Sequence, residues 1–508
     1  MGINVVNENL MICSAVCSIK NDFTTECDII VPDTKPDIAR ILQISARAKI
    51  TSSETQNDRI IISGTVNFNI LYLADNEEKS VKAIDSSCVF SNLFLHNGIR
   101  ENMLSVTNVD VGELSFNIAN CRKLTAKAIL CGEAEVYSCR NTEIICDIEN
   151  ASMKKLPLAS TVISAYAESE TTVMDSVELP QGKADILEIL KSDAKITGSD
   201  IKIIDDKVII KGTALVTTLY AKENGIEYIE SELLYAHVLD AEGIRQDMMT
   251  DYDAKVTGLS VNVAPDANGQ LRVVDICLEL FFRIIARHTE QIECITDAYL
   301  PHGALELKKN SISVFGIESS INNEVNFKET ISIPENLAPI DTVYEIIARP
   351  KIQKCEIESD KLRIIGYTEV YILYLSRDEM FPVFSYKTNV DFSVVTDAPD
   401  CTLTPKAKCS VRGINYVLGT ERSIEVRGAI SITTRCIREK EAEIIYSAEQ
   451  TEYIPKKRPS IIISFVSDER SMWDIAKEYN IDEKELLSAN AIESEDDVTL
   501  GMALIIPK

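Results

Sequence analysis

Much of this chain alternates between apolar and polar positions with a period of two. In GTVNFNILYL, from Gly64, the residues Val66, Phe68, Ile70 and Tyr72 fall on one face of an extended chain, and Thr65, Asn67 and Asn69 fall on the other. Successive side chains of a strand point to opposite sides, so this spacing predicts a strand with one buried face. GYTEVYILYL, from Gly366, repeats the pattern with Val370, Ile372 and Tyr374 on one side. Further alternating or β-branched runs begin at Leu124, Arg272 and Ser423. The predicted fold class is mainly β, with about seven or eight short strands per unit in a sandwich-like arrangement.

The alternating runs recur as three copies of one unit. VPDTKPDIARILQISARAKI starts at Val31, LPQGKADILEILKSDAKI at Leu179, and IPENLAPIDTVYEIIARPKI at Ile333. Each copy has a proline (Pro32, Pro180, Pro334), then an aspartate (Asp37, Asp185, Asp341), and a Lys-Ile pair (Lys49, Lys195, Lys351). A strand from glycine to tyrosine follows, eight residues apart every time: Gly64 to Tyr72, Gly212 to Tyr220, Gly366 to Tyr374. The prolines set a period of about 150 residues, which is the size of a domain and not of a solenoid turn. Asp37 before IARIL and Asp185 before ILEIL have the character of helix N-caps, so one short helix is expected in each unit. The predicted units are residues 1–150, 160–302 and 310–454, followed by a small module over 460–508. ENASMKKLPLAST, from Glu149, is read as a linker, and IPKKRPSI, from Ile454, as the last boundary.

The tail has a different rhythm. Met472, Ile475, Ala476 and Tyr479 recur at helical spacing, between a strand predicted over Ile461–Val466 and a second helix over Asp482–Asn490. Asp482 has N-cap character, with Glu485 three residues on giving a partial capping box. A last strand over Ala503–Ile506 would complete a small α+β unit of βααβ order. Its predicted core is Trp473, Ile475, Leu486 and Leu487, together with Ile505.

Composition narrows the function more than the fold. The 508 residues carry a net charge of −27, which repels nucleic acid phosphates and anionic lipid heads. The N-terminal run MGINVVNENLMICSAVC has no basic segment ahead of its apolar stretch, and no apolar run approaches the length of a membrane span. A cytosolic protein without membrane insertion is therefore expected. Eight of the fourteen cysteines precede residue 150, no CxxC occurs, and most sit in alternating runs, which predicts buried reduced thiols. His96, His237, His288 and His302 lie in unrelated contexts, and no phosphate loop, nucleophile elbow or zinc signature is present. His288, at the end of an apolar run, reads as a polar strand-end residue. The acidic run Glu493–Asp497 lacks the glycine and spacing of a calcium loop and reads as solvated. No catalytic residue, metal site or cofactor is expected.

Two resemblances add to this reading. Trp473–Tyr479, Glu485–Ile492 and Leu500–Pro507 resemble the LysM family over the whole module. LysM domains typically bind N-acetylglucosamine polymers between the loop before the first helix and the loop before the last strand. Carried onto this chain, that groove would use Glu469, Arg470, Ser471, Met472, Thr499, Leu500, Gly501 and Met502. Glu469, Arg470 and Ser471 stand where the family usually has Gly-Asp-Thr, so protein binding and glycan binding remain alternatives for the module. The V-P-D-x-x-P-D-I pattern at Val31, joined to such a tail, resembles the SPOCS-domain proteins of spore-forming clostridia. Pro36 gives way to Ala184 in the second copy, and the order becomes Ala-Pro-Ile-Asp in the third. The resemblance implies a non-enzymatic mother-cell scaffold at the forespore surface. It would bind the basement-layer ATPase of the spore coat, stage IV sporulation protein A. The alternative is a protein that tethers the coat to peptidoglycan through its LysM module.

Overall fold

The computed structural model describes residues 3–507 apart from 78, 224, 359, 377–382, 398–404, 455–458, 460, 468–469 and 495–496. The alternating runs form strands, and they are long. The first unit holds β1 (Val5–Ile30), β2 (Ile38–Gln56), β3 (Arg59–Ala74), β4 (Val81–Leu95), β5 (Leu104–Asn120) and β6 (Lys123–Ile148). The second holds β7 (Ser152–Glu178), β8 (Glu188–Ile204), β9 (Lys207–Lys222), β10 (Gly225–Asp240), β11 (Met249–Pro265) and β12 (Leu271–Tyr299). The third holds β13 (Ala304–Ser332), β14 (Thr342–Glu358), β15 (Lys361–Leu375), β16 (Val383–Asp397), β17 (Lys406–Thr420) and β18 (Ser423–Thr451). Each unit pairs its strands into two antiparallel three-stranded sheets, of order β1-β6-β5 and β2-β3-β4 in the first and of matching order in the others.

The two sheets of a unit enclose the apolar face read from the sequence. Val66, Phe68, Ile70 and Tyr72 are buried in the first core, and Val370, Ile372 and Tyr374 in the third. The glycine-to-tyrosine spacing has a steric origin. A Cβ on Gly64 would lie 2.1 Å from the Lys49 carbonyl oxygen and 2.5 Å from the Phe90 ring. Gly212 faces Tyr235, and Gly366 faces Phe392, in the same way. An aromatic side chain covers each bare glycine from the neighbouring strand. Eight residues on, the tyrosine hydroxyl reaches back to the proline turn. Tyr72 donates to the Pro36 carbonyl at 3.0 Å and Tyr374 to that of Ala338 at 2.8 Å. In the second unit Tyr220 donates to Glu227 instead, at 3.3 Å.

The short helix expected in each unit does not form. Ile38–Gln56 and Glu188–Ile204 are strands, paired along their length with β3 and β9. Their β-branched residues, such as the half-buried Ile41, Ile44, Ile189 and Ile196, pack against the domain core and outweigh the cap-like aspartates. Asp37 and Asp185 instead accept hydrogen bonds from Arg122 and Arg272 at 2.6 and 2.9 Å. In the third unit the place of Asp37 is held by Pro339 rather than Asp341. The amide after it, Ile340, bonds the Glu421 carbonyl, as Ile38 bonds Cys121 and Ile186 bonds Leu271. Arg422 accordingly donates to the carbonyls of Pro334 and Leu337, at 3.2 and 2.9 Å.

Two further expectations are corrected. The stretch read as a linker turns at Asn150, whose φ is 58°, and becomes strand β7 from Ser152. Its Lys154 and Lys155 sit on a strand that keeps its apolar alternation in Leu156 and Leu158, so charge in the sequence did not mean loop. Cys13 and Cys139 face each other across β1 and β6 and form a disulfide, because strand register brings them side by side. Among the other described cysteines, Cys27, Cys294 and Cys436 are buried thiols and Cys121 is exposed; Cys401 lies outside the described residues.

The three units pack against one another through shared buried clusters. Beyond Tyr137 the antiparallel pair of β1 and β6 runs on as a two-stranded ribbon, from Cys13–Cys139 to Val5–Ile148. The ribbons of the three units bury Leu10, Ile12, Ile144, Leu158, Ile312 and Ile444 between them. A second shared cluster joins Leu71 and Leu73 of the first unit, Leu190 and Leu219 of the second, and Tyr344 and Leu373 of the third. At its edge Lys191 and Glu345, both largely buried, form an ion pair between the second and third units.

Candidate functional site

The C-terminal module begins with β19 (Ile463–Phe465), continues through α1 (Met472–Tyr479) and α2 (Glu483–Ala489), and ends with β20 (Ala503–Ile505). Ser471 caps α1 in a capping box with Asp474: the Ser471 amide donates to the carboxylate at 2.9 Å, and the Asp474 amide to the Ser471 hydroxyl at 3.3 Å. The box therefore stands on the first helix, not on the second, where Asp482 caps alone by accepting from the Lys484 amide at 2.7 Å. Asn480 ends α1 in a left-handed conformation, φ 54°.

Ile475 and Leu486 are fully buried, and Leu487 packs at the margin of the core. Leu504 and Ile506 fill the core from the last strand, while Ile505 points outward, half exposed. A single step in register separates them, since alternate residues of a strand face opposite ways. Trp473 is buried, but on the side that faces the repeats.

The two loops expected to form a groove do lie side by side. The Val466 amide bonds the Met502 carbonyl at 3.0 Å, and the Gly501 amide bonds the Val466 carbonyl at 2.9 Å. The pairing of β19 with β20 thus ties the loop before α1 to the loop before β20. Gly501 supplies the turn with φ 83°, a conformation that a Cβ disfavours. Thr499 and Leu500 are exposed beside it, and Met502 is half-buried.

The first loop is less open. Glu469 lies outside the described residues. The Arg470 guanidinium is held by an ion pair with Glu478 and stacks over the Tyr479 ring at 5.9 Å. Ser471 spends its hydroxyl on the cap. Met472 is 5% exposed and belongs to the core, so it offers no side chain to a ligand. Of the seven described groove positions, Ser471, Thr499, Leu500 and Gly501 are exposed.

The four histidines are apart. His237 stacks on Phe282 at 5.5 Å, where burial pushes its pKa down. His288 lies within β12, not at its end, between Ser164 and Glu290. Among the described residues no group of three or more potential metal ligands occurs, and no helix is long and apolar enough to cross a membrane. Glu495 and Asp496 of the acidic run lie outside the described residues.

Three β units with one shared plan, closed by a small α+β module, define a tandem-repeat protein with an appended binding module. The family model for the SipL SPOCS domain matches residues 37–119, 185–264 and 339–418, and that for the LysM domain matches residues 468–507. The chain is a SipL-like protein, with three SPOCS domains followed by a LysM domain. No curated protein and no solved structure matches the chain. Each SPOCS match opens at the residue that the arginine corner identifies: Asp37, Asp185 and Pro339. The three arginines Arg122, Arg272 and Arg422 were missed in the sequence reading, although they recur at a step of 150 residues.

Proposed function

We propose that this chain is a non-enzymatic scaffold associated with the spore coat, working in the mother-cell cytosol at the forespore surface. SPOCS and LysM domains are binding domains, and their presence together on one chain carries the reading. Its partner in this reading is the basement-layer ATPase of the coat, stage IV sporulation protein A. The packing of three units around shared clusters supports it, because such a body holds a C-terminal module in a defined place. Copurification tests it directly. The full chain should retain the ATPase, and a chain ending near residue 455 should retain markedly less. Failure of the full chain to bind removes the partner assignment.

A second reading has the LysM domain bind peptidoglycan or its precursors. The adjacent loops and the exposed Thr499, Leu500 and Gly501 favour it. The Arg470 side chain, engaged with Glu478, would then leave glycan recognition chiefly to the second loop. Sedimentation with peptidoglycan and with insoluble chitin distinguishes the readings: retention supports the tether, and its absence leaves the protein contact.

A further inference from the structure

The LysM domain follows the third unit in the chain, yet it is seated on the second. The seat is the corner where β12 turns into β13, residues Asp297–Gly303. Lys477 of α1 lies 2.6 Å from both carboxylate oxygens of Asp297, and the Trp473 indole N–H donates to the same carboxylate at 3.1 Å. The Tyr299 ring meets Trp473 edge-on, with centroids 5.0 Å apart, and its hydroxyl donates to the Ile481 carbonyl at 3.0 Å. The His302 amide bonds the Asn480 carbonyl at 3.0 Å, and the Asn480 side chain donates to Gly303. Tyr299 shares one apolar cluster with Ile475 and Leu486.

The corner differs from both of its counterparts at Tyr299. Strand register equates Asp297, opposite Lys154, with Asp147 opposite Val6 and with Ser447 opposite Lys308. Two residues further on, Tyr299 stands where the other units have Glu149 and Glu449. Tyr299 is 5% exposed, in one apolar cluster with residues of the LysM domain. Removal of the domain would bare an aromatic ring and leave Asp297 with Lys309 at 3.8 Å as its remaining cation. An aromatic ring with its hydroxyl, a carboxylate, the His302 amide and the Gly303 carbonyl, all meeting α1 and the turn after it, make a recognition surface, since each polar group finds its partner on docking.

We infer that the β12–β13 corner is a docking site for α1 of the LysM domain, so that repeats and module offer partners one composite surface. The docked module keeps Ile463, Phe465, Leu500 and Ile505 exposed, while the α1 face around Trp473 is taken. Substitution of Trp473 would then act on the placement of the domain as well as on its core.

Trp473 is the single tryptophan of the chain, and it reports the joint without a label. In the full-length protein, Asp297→Ala and Tyr299→Ala should each shift its emission to longer wavelength and raise acrylamide quenching about twofold or more, as local opening exposes the ring. Lys477→Ala should move both signals in the same direction but by no more than Asp297→Ala, which also removes the indole's acceptor, and the double variant should do no more than Asp297→Ala alone. Amides of Ile475 and Leu486 should keep their exchange protection in Asp297→Ala, because the module undocks folded. Unchanged emission and quenching in the Asp297→Ala, Tyr299→Ala double variant would overturn the docking site. So would additive effects of Asp297 and Lys477, or a collapse of exchange protection inside the module.

Discussion

The first and third SPOCS domains close the same corner with the same arginine, but with different partners. Arg122 bonds the Asp37 carboxylate as well as backbone carbonyls, whereas Arg422 bonds carbonyls alone, because Pro339 has replaced the acid. The backbone does not change: the amides of Val31 and Ile333 bond the carbonyls of Arg122 and Arg422, each at 2.9 Å. A guanidinium carries five donors in a fixed fork, so it can hold a turn through carbonyls when a carboxylate is lost. The difference shows that the corner geometry, not the ion pair, is the invariant of the repeat.

That equivalence can be broken at several points. The glycines under Phe90 and Phe392 meet the same obstruction, so Gly64→Val and Gly366→Val should each destabilise the domain that carries it by about 3 kcal/mol or more. Denaturant midpoints would measure this, and a cost at only one site would mean the two sheets are not alike. Leu71 and Leu373 contribute to the cluster shared by all three domains. Leu71→Ala and Leu373→Ala should each cost about 3 kcal/mol and loosen the neighbouring domains as well, seen as faster amide exchange on both sides of the joint.

Smaller effects separate the corners. Tyr72→Phe and Tyr374→Phe each remove a hydrogen bond to a turn carbonyl, with an expected loss of about 1 kcal/mol apiece in chemical denaturation. The finest distinction lies in pH. Hydrogen bonds from the Cys121 thiol and then from Arg122 hold the Asp37 carboxyl below the usual range. A depressed folded pKa contributes stability above the unfolded value, about 3.9, and that contribution is lost as pH falls through the folded value. Amide exchange at Ile38 should therefore accelerate on acidification below about pH 4 relative to Ile340, and Asp37→Asn should abolish the difference. Equal acid sensitivity in the two corners would show that Asp37 does not set it.

Several parts of the molecule were legible before any coordinates. The buried set Val66, Phe68, Ile70 and Tyr72 followed from alternation, and the helical stripe Met472, Ile475, Ala476 from spacing, because both are local consequences of backbone geometry. The missing helices show the limit of local reading. Asp37 with IARIL satisfies a cap pattern, and only pairing with β3 decides for a strand. One signal was present and went unread: on the outward face of β3, Asn67 and Asn69 give way to Leu71 and Leu73, which are buried against the other two domains. In the binding module, the two loops named for a groove lie side by side, but Met472 turns inward and Arg470 is engaged by Glu478.

Sequence alone determined the tripling of the domain, the faces of its strands and the presence of the LysM module, since each is written in spacing that no distant contact can alter. Tertiary structure alone decided that the three domains bury one cluster between them, that Cys13 meets Cys139, and that Trp473 rests on Tyr299 of a domain it does not follow. Those pairings join residues more than a hundred positions apart. Their energies depend on register and docking, which a single strand or helix does not contain.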